Sequence, residues 1–342
     1  LSSSSAASDV YKRQAIQNIS PAFLKGMLCR LFPSRPMRDL RGRLDKNKFL
    51  RCDMRRVAVV PTIRKQEDTL YTAKTVAKLL SCAFEVWMDQ MYSNSSFAQG
   101  VRFAAGDSVY ANSDWIVVLG GDGSMLRAAK SAVRHNIPLI GINLGRLGYT
   151  AELEKDELEL LEKIGRNEYS IERRMMLSVL RVDPAGRRTI CESALNDVVI
   201  ARGGYSKIVD LKLCADGKSV RTIRADGIIF ATPTGSTAYS MTAGGSVLDP
   251  TLECICATPI CPLSRYARPI VFSGNSVLEL ENVGERGVFV GVTVDGSETL
   301  PLAQGEKIVI RRSDLHVQML TLKNDGFFGV LNNKLSEYEL KN

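Results

Sequence analysis

Trp115-Ile-Val-Val-Leu-Gly-Gly-Asp-Gly-Ser124 decides the fold. Trp115 to Leu119 reads as a strong strand, a glycine turn follows, and Ser124 to Arg134 reads as a helix. A turn in that place lies outside the carboxyl end of a strand. Open α/β sheets bind ligands there, because a helix N-terminus presents free N–H groups to anions. Upstream, Val57-Ala-Val-Val60 ends at Pro61 and reads as a buried strand. Glu67 to Leu80 places Leu70, Ala73, Val76, Ala77 and Leu80 at helical spacing, and Phe84 to Met88 is another strand. Downstream, Pro138 to Ile142 is strand-like again. Strands alternating with helices imply a parallel sheet with helices on its faces, so residues 56–150 are expected to form a Rossmann-like α/β domain.

The character changes after Thr150. Lys155 to Ile164 is a charged, Leu-rich helix candidate. Short strand runs then follow at Leu177–Val182, Asp197–Ala201, Ile208–Leu213 and Gly227–Phe230, and later at Ile270–Phe272, Val277–Leu280, Val288–Val294 and Lys307–Ile310. Punctuation by Gly, Asp-Gly and Pro suggests a C-terminal β-sandwich-like domain over 151–318. Residues 319–342 form a tail, with Phe327 to Leu340 reading as a short helix. The body carries no internal repeat or low-complexity tract.

With 342 residues, 45% hydrophobic and 24% charged, the chain has ordinary globular composition and room for two domains. No apolar stretch approaches the roughly 20 residues that span a bilayer. Pro21 to Phe32 is short and broken by Lys25 and Arg30, so neither a membrane anchor nor a signal peptide is expected. Through Arg56 there are 13 Lys plus Arg against 4 Asp, while the remainder has 32 basic against 33 acidic residues. The basic excess therefore lies in the N-terminal segment (1–55), which is expected to be a disordered, solvated tail, and a body with no excess argues against a specific nucleic-acid partner. The opening Leu1-Ser-Ser-Ser-Ser-Ala-Ala-Ser is set aside from fold reasoning as doubtful native sequence. Eight cysteines without a C-x-x-C pair make no disulfide framework. Cys254, Cys256 and Cys261 cluster without a nearby histidine, so buried reduced thiols, no metal site and a cytoplasmic location are expected.

Three segments carry chemistry. In Gly120-Gly-Asp-Gly-Ser124, Gly120, Gly121 and Gly123 let the backbone approach a phosphate. A carboxylate at Asp122 would repel that anion unless it takes a proton from an attacking hydroxyl or helps hold a metal ion. By itself the segment could equally be an Asp-Gly turn. It is not a P-loop, and Leu126 stands where a dinucleotide fingerprint needs its third glycine. Gly141-Ile-Asn-Leu-Gly-Arg-Leu-Gly148, with Asn143, would line the same crevice, although alone it reads as an ordinary strand-to-loop transition. In Asp226 to Gly245 a buried strand enters a turn dense in hydroxyls, then a helix from about Ser236. Thr234, Ser236 and Thr237 can cap that helix or bind a ligand, and Tyr239 could stack on a base. Neither histidine, His135 or His316, sits in these segments, so histidine catalysis is not expected.

Together these motifs resemble the NAD kinase (ATP-NAD kinase) family. The resemblance rests on Gly-Gly-Asp-Gly at 120–123, Asn-Leu-Gly-Arg-Leu-Gly at 143–148, Leu-Asn-Asp at 195–197 and Thr-Pro-Thr-Gly-Ser-Thr-Ala-Tyr-Ser at 232–240. It extends through Thr-Pro-Ile-Cys-Pro at 258–262, Arg-Pro-Ile at 268–270 and Val-Asp-Gly at 294–296, covering about Val57 to Leu335. It implies an active site between the two domains, a tail that returns to the first, and a homodimer or homotetramer. It also implies transfer of a phosphoryl group from ATP, or from another donor such as polyphosphate, to the 2′-hydroxyl of the adenosine ribose of NAD, giving NADP. Asp122 would be the base and the glycines around it would hold the triphosphate. Asn196 and Asp197 would contact the ribose, Arg224 and Asp226 match ligand-contacting positions, and Thr237, Ala238, Tyr239, Ser240, Met241 and Thr242 match the adenine side. Gly235 falls in the same Thr-Pro-Thr-Gly turn, and Arg127 and Lys207 match less constant basic or polar positions. Ser297 departs from the Gln, Arg or His often found after Asp-Gly. Mg²⁺ or another divalent metal would neutralise the triphosphate. The competing readings are a lipid or diacylglycerol-type kinase, which shares the glycine–aspartate turn, and a non-catalytic dinucleotide sensor.

Overall fold

A computed structural model describes residues 55–323 except 146–147, 205–206 and 286, together with 327, 329, 331 and 332. The expectations for the N-terminal segment before Arg55 and for most of the tail helix lie outside the described residues. The first half runs β1 (Arg56–Pro61), α1 (Gln66–Ser81), β2 (Glu85–Asp89), β3 (Arg102–Ala104), α2 (Ser108–Ala111), β4 (Trp115–Gly120), α3 (Asp122–His135) and β5 (Leu139–Asn143). The strands lie in the order β5-β4-β1-β2-β3, all parallel. Side chains alternate across a strand, so each strand feeds two cores. Val57, Val59, Val117, Leu119, Ile140 and Ile142 pack on one face with Val76 and Leu79 of α1. Ala58, Ile116, Val118 and Leu139 pack on the other with Met125, Ala128, Ala129 and Ala132 of α3. This is the α/β layer that the alternation of strands and helices implied.

The segment 155–164 differs from the expected helix: Leu158–Leu161 is a 3₁₀ turn, followed only by the five-residue α4 (Glu162–Arg166). The spacing explains it. Leu158, Leu161 and Ile164 recur every three residues, the repeat of a 3₁₀ turn, and all three contribute to the core beneath α1.

The second half is β-rich: β6 (Ser170–Val182), β7 (Arg188–Ala194), β8 (Asp197–Arg202), β9 (Val209–Ala215), β10 (Lys218–Ala225), β11 (Gly227–Ala231), α5 (Tyr239–Thr242), β12 (Cys254–Ile260), β13 (Ile270–Ser273), β14 (Leu278–Asn282), β15 (Val290–Val294), β16 (Leu300–Pro301) and β17 (Lys307–Thr321). A six-stranded antiparallel sheet, β13-β12-β11-β8-β15-β16, faces the antiparallel part of an eleven-stranded sheet. Val198, Ile200, Ile228, Phe230, Val290 and Val292 from the first meet Leu177, Val209, Leu211, Leu278, Leu280 and Ile308 from the second. The second half is thus sandwich-like. β17 pairs antiparallel with β6 and β14, then pairs in parallel with β5 through Met319 and Leu139, so one sheet runs through both halves.

Cys254 and Cys256 are buried thiols on β12, but Cys261, just beyond its end, is exposed, contrary to the expectation of buried thiols throughout. Among the described residues no group of three or more His, Cys, Asp or Glu is placed to hold a metal, and no helix is long and apolar enough to cross a membrane.

Candidate active site

β1 and β4 are neighbours whose chains leave in opposite directions along the sheet, so their carboxyl ends form the switch point where α/β sheets hold ligands. Gly120 and Gly121 stand there. A Cβ on Gly120 would lie 2.4 Å from Ser124 Oγ, which is itself 2.7 Å from Thr62 Oγ1 at the end of β1. The close approach of the Ser124 side chain, whose Cβ would also lie 2.7 Å away, therefore requires glycine at 120. Gly121 caps α3 without any side-chain bond, leaving the first N–H groups of a fourteen-residue helix for a ligand.

The Asp122 side chain is held by the loop after β5. Its Oδ2 accepts from Tyr149 N–H (3.1 Å), while Oδ1 accepts from Thr150 N–H (3.0 Å) and from the Thr150 hydroxyl (2.6 Å). A Cβ on Gly148 would come 2.7 Å from Oδ1, so the loop approaches closely enough to require glycine. Asn143 shapes the start of that loop. Its Nδ2 donates to Glu154 (3.1 Å to Oε2) and its Oδ1 accepts from Gly145 N–H (3.1 Å). The two glycine motifs that the sequence placed in one crevice do meet there, and Asn143 serves the loop.

The facing wall is built from the start of β8, the turn after β11 and the turn after β15. Asp295 accepts the backbone N–H groups of Leu195 (2.7 Å), Asn196 (2.8 Å) and Asp197 (3.1 Å). Asn196 is buried, and its Oδ1 has no hydrogen-bond partner. Gly235 lies against Asn196 so closely that a Cβ would sit 2.0 Å from its carbonyl oxygen. The hydroxyls of 232–240 build this turn. Ser236 Oγ donates to Pro233 O (2.6 Å) and accepts from Leu248 N–H (3.0 Å), Thr237 Oγ1 donates to Thr234 O (3.3 Å), and Ser240 Oγ meets Thr258 Oγ1 at 2.9 Å. Thr234 Oγ1 is buried without a partner. The helix expected from Ser236 is instead a 3₁₀ turn, Thr234–Thr237, broken at Ala238 before the four-residue α5.

Between the two walls lies a cavity of ≈ 780 Å³. One side is the α3 face of Gly123, Leu126, Arg127 and Lys130; the other carries Asn196, Asp197, Val199, Ala238, Tyr239, Thr293 and Asp295-Gly296-Ser297. Two cations thus face two carboxylates. Burial first, and then the charge of Asp295, push the Asp197 carboxyl up to about 7. Burial also raises Asp295, against the pull of its three N–H donors and of Lys130.

Of the residues singled out from sequence, Gly123, Arg127, Asn196, Asp197, Ala238 and Tyr239 line this cavity. Asp122 adjoins Gly123 on the same helix end. Met241 and Thr242 follow Tyr239 on α5 but are not among the lining residues. Nor are three charged positions: Asp226 pairs with Arg202 (2.7 Å), Arg224 lies 3.7 Å from Asp210, and Lys207 pairs with Glu285 (3.0 Å). Asp226 precedes β11, a full strand away from the turn that begins at Thr232. Sequence reasoning missed Lys130, although Gly123, Arg127 and Lys130 share one helical face at i, i+4 and i+7. Asp295 was noticed only as part of a motif, and its bonds cross about a hundred residues of chain.

A glycine turn at the switch point of a parallel sheet, facing an amide and carboxylate wall across a cavity with two cations, defines a nucleotide-binding phosphotransferase. Residues 54–169 match the family model described as the ATP-NAD kinase N-terminal domain, and residues 195–322 match that of the ATP-NAD kinase C-terminal domain. The chain belongs to the NAD kinase family. It is 37% identical over 285 residues to the NAD kinase of Caldanaerobacter subterraneus subsp. tengcongensis, covering 83% of this chain and 100% of that one. It is 36% identical over 285 residues to the NAD kinase of Thermoanaerobacter pseudethanolicus, with the same coverage. Among solved structures, an Archaeoglobus fulgidus NAD kinase in complex with ATP superposes with a TM-score of 0.63 at 28% identity, covering 82% of this chain and 98% of that one. Yeast NADH kinase complexed with NADH shares the fold, with a TM-score of 0.73 at 23% identity over 83% of this chain and 88% of that one. The lipid-kinase alternative has no support in these matches.

Proposed function

We propose that this chain transfers the γ-phosphoryl group of ATP to the 2′-hydroxyl of the adenosine ribose of NAD, and that Asp122 is the base. The observation that carries the reading is the cavity itself, with cations on the α3 wall and hydrogen-bonding groups opposite. The family's relatives are named NAD kinases, and the archaeal structure holds ATP. Arg127, Lys130 and the free N–H groups of α3 suit a polyanionic triphosphate. The unpartnered Oδ1 of Asn196 suits a ribose hydroxyl, and Tyr239, 45% exposed at the rim, suits the face of a base.

Phosphoryl transfer through a loose transition state needs chiefly positioning and charge neutralisation. The chain's part is to hold donor and acceptor on facing walls and to take the hydroxyl proton at Asp122. Because no cluster of three ligating side chains occurs among the described residues, a protein-caged resident metal does not fit; Mg²⁺ would come with the triphosphate, whose charge it offsets. A cytoplasmic homodimer or homotetramer completes the proposal, and light scattering on the purified chain would decide the oligomeric state.

Purified protein given Mg²⁺, ATP and NAD should form NADP, read with an NADP-specific dehydrogenase. Asp122→Asn should lose about 10²- to 10⁴-fold in turnover if general-base catalysis is its role. Wild-type turnover in that variant would remove Asp122 from the chemistry. No NADP from folded wild type, with NADH and polyphosphate also tried, would favour a dinucleotide sensor.

A further inference from the structure

We infer that Asp295 is a positioning residue for the acceptor side of the site: it acts through the backbone of Leu195-Asn196-Asp197, with Thr232 as its counterpart on the opposite edge of that segment. The inference rests on the reaction proposed above.

Three consecutive backbone N–H groups converge on one carboxylate, Leu195 on Oδ2 and Asn196 and Asp197 on Oδ1. Asp295 returns a bond, donating its own N–H to Asp197 O at 3.0 Å. It reaches this place because it adopts a left-handed conformation (φ 48), followed by Gly296 (φ 68), in a turn closed by Ser297 N–H to Val294 O at 2.9 Å. Aspartate tolerates that conformation better than most L residues. The carbonyl edge of the segment is equally occupied. Thr232 Oγ1 donates to Leu195 O (2.5 Å), Thr232 N–H donates to Asn196 O (2.9 Å), and Gly235 rests on the Asn196 backbone.

The segment is therefore held on both edges, and one group is left over. Asn196, 8% exposed, lines the cavity, while its Oδ1 is enclosed by protein and has no partner. A buried acceptor left open is unfavourable, and a turn of the Asn196 amide toward the cavity lets a ligand hydroxyl satisfy it. If the clamp loosens, the side chain can turn elsewhere, and the acceptor loses its contact while the donor wall on α3 is untouched.

The test varies NAD at saturating ATP and ATP at saturating NAD, and separately follows amide hydrogen exchange at 195–197 without ligand. Asp295→Asn keeps one carbonyl oxygen for Asn196 and Asp197 but sets an amide N–H₂ against the Leu195 N–H. It should raise KM for NAD at least about tenfold, leave KM for ATP within about twofold, and speed exchange at 195–197 by about tenfold or more. Thr232→Val should move KM for NAD in the same direction, and Thr232→Ser, which keeps the hydroxyl, should restore it. A folded Asp295→Asn with unchanged KM for NAD or unchanged exchange would overturn the inference. So would equal rises in both KM values, the mark of a general structural role, or a collapse of kcat with KM intact, which would assign Asp295 to the chemistry. If Asp295→Asn does not fold, the two Thr232 variants decide alone. If wild type forms no NADP, the proposed reaction fails, and the exchange measurement still decides whether the clamp exists.

Discussion

Asp197 stands beside Asp295 in a buried wall, and its carboxyl, raised to about 7, ties stability to pH. In the unfolded chain the same group ionises near the ordinary aspartate value of 3.8. Below that value it is protonated in both states and contributes no pH dependence. As pH rises from about 4 to about 7 the unfolded chain releases the proton while the folded chain keeps it, so stability falls across that window; above it the full cost of the buried charge is present. Asp295 is shifted in the same direction and adds to the slope. Asp197→Asn should therefore gain stability over wild type at about pH 8 and lose most of that gain at about pH 5, read from urea midpoints at the two values. An equal difference at both pH values would show that the charge of Asp197 is not what couples folding to pH.

At the scale of elements, the decisive piece is β17, fifteen residues from Lys307 to Thr321. Its pairing with β6 shifts register between Arg312 and His316, and beyond that irregularity it enters the α/β sheet. Val317 and Met319 join one helical-layer core, while Leu320 and Leu322 join the other. The chain just after it is anchored by Glu152, whose Oε1 accepts from Leu322 N–H (2.8 Å) and Lys323 N–H (2.9 Å), and by Lys163 donating to Leu322 O (2.8 Å). Leu320→Ala, at a site 1% exposed, should cost about 2–5 kcal/mol in a denaturant titration. A cost near zero would mean that this end of the strand is not part of the core. The strand also marks how far the sequence could be read. β1, β4 and β5 were legible because both their faces are buried and their residues are continuously apolar. Of β17 only Lys307 to Ile310 stood out, since Arg311-Arg312-Ser313-Asp314 is polar where the pairing breaks. β10, with mostly exposed side chains, and β12, with its cysteines and Pro259, carried no recognisable strand pattern. In the site, Asp122 stood out from its local glycine motif and Asn196 only through the family resemblance, whereas the clamp at Asp295 depends on contacts set only by the fold.

At the scale of the whole molecule, the described residues form one compact unit although they match two family domains. The reason is β17, which pairs with the sandwich strands β6 and β14 and with β5 of the parallel sheet. The cavity gains from this arrangement. Its two walls belong to different halves, and reaction geometry tolerates little displacement between donor and acceptor. A sheet shared by both halves opposes independent movement, because separating them would unpair strands and expose Met319, Leu320 and Leu322 together. Unfolding should then be a single cooperative transition in calorimetry. Ile116→Ala in the α/β core and Leu211→Ala in the sandwich core, each fully buried and each costing about 2–5 kcal/mol, should lower that one midpoint rather than split it. Two transitions, each moved by only one of the substitutions, would show that the halves unfold separately, and β17 would then be a tether between two domains rather than a weld.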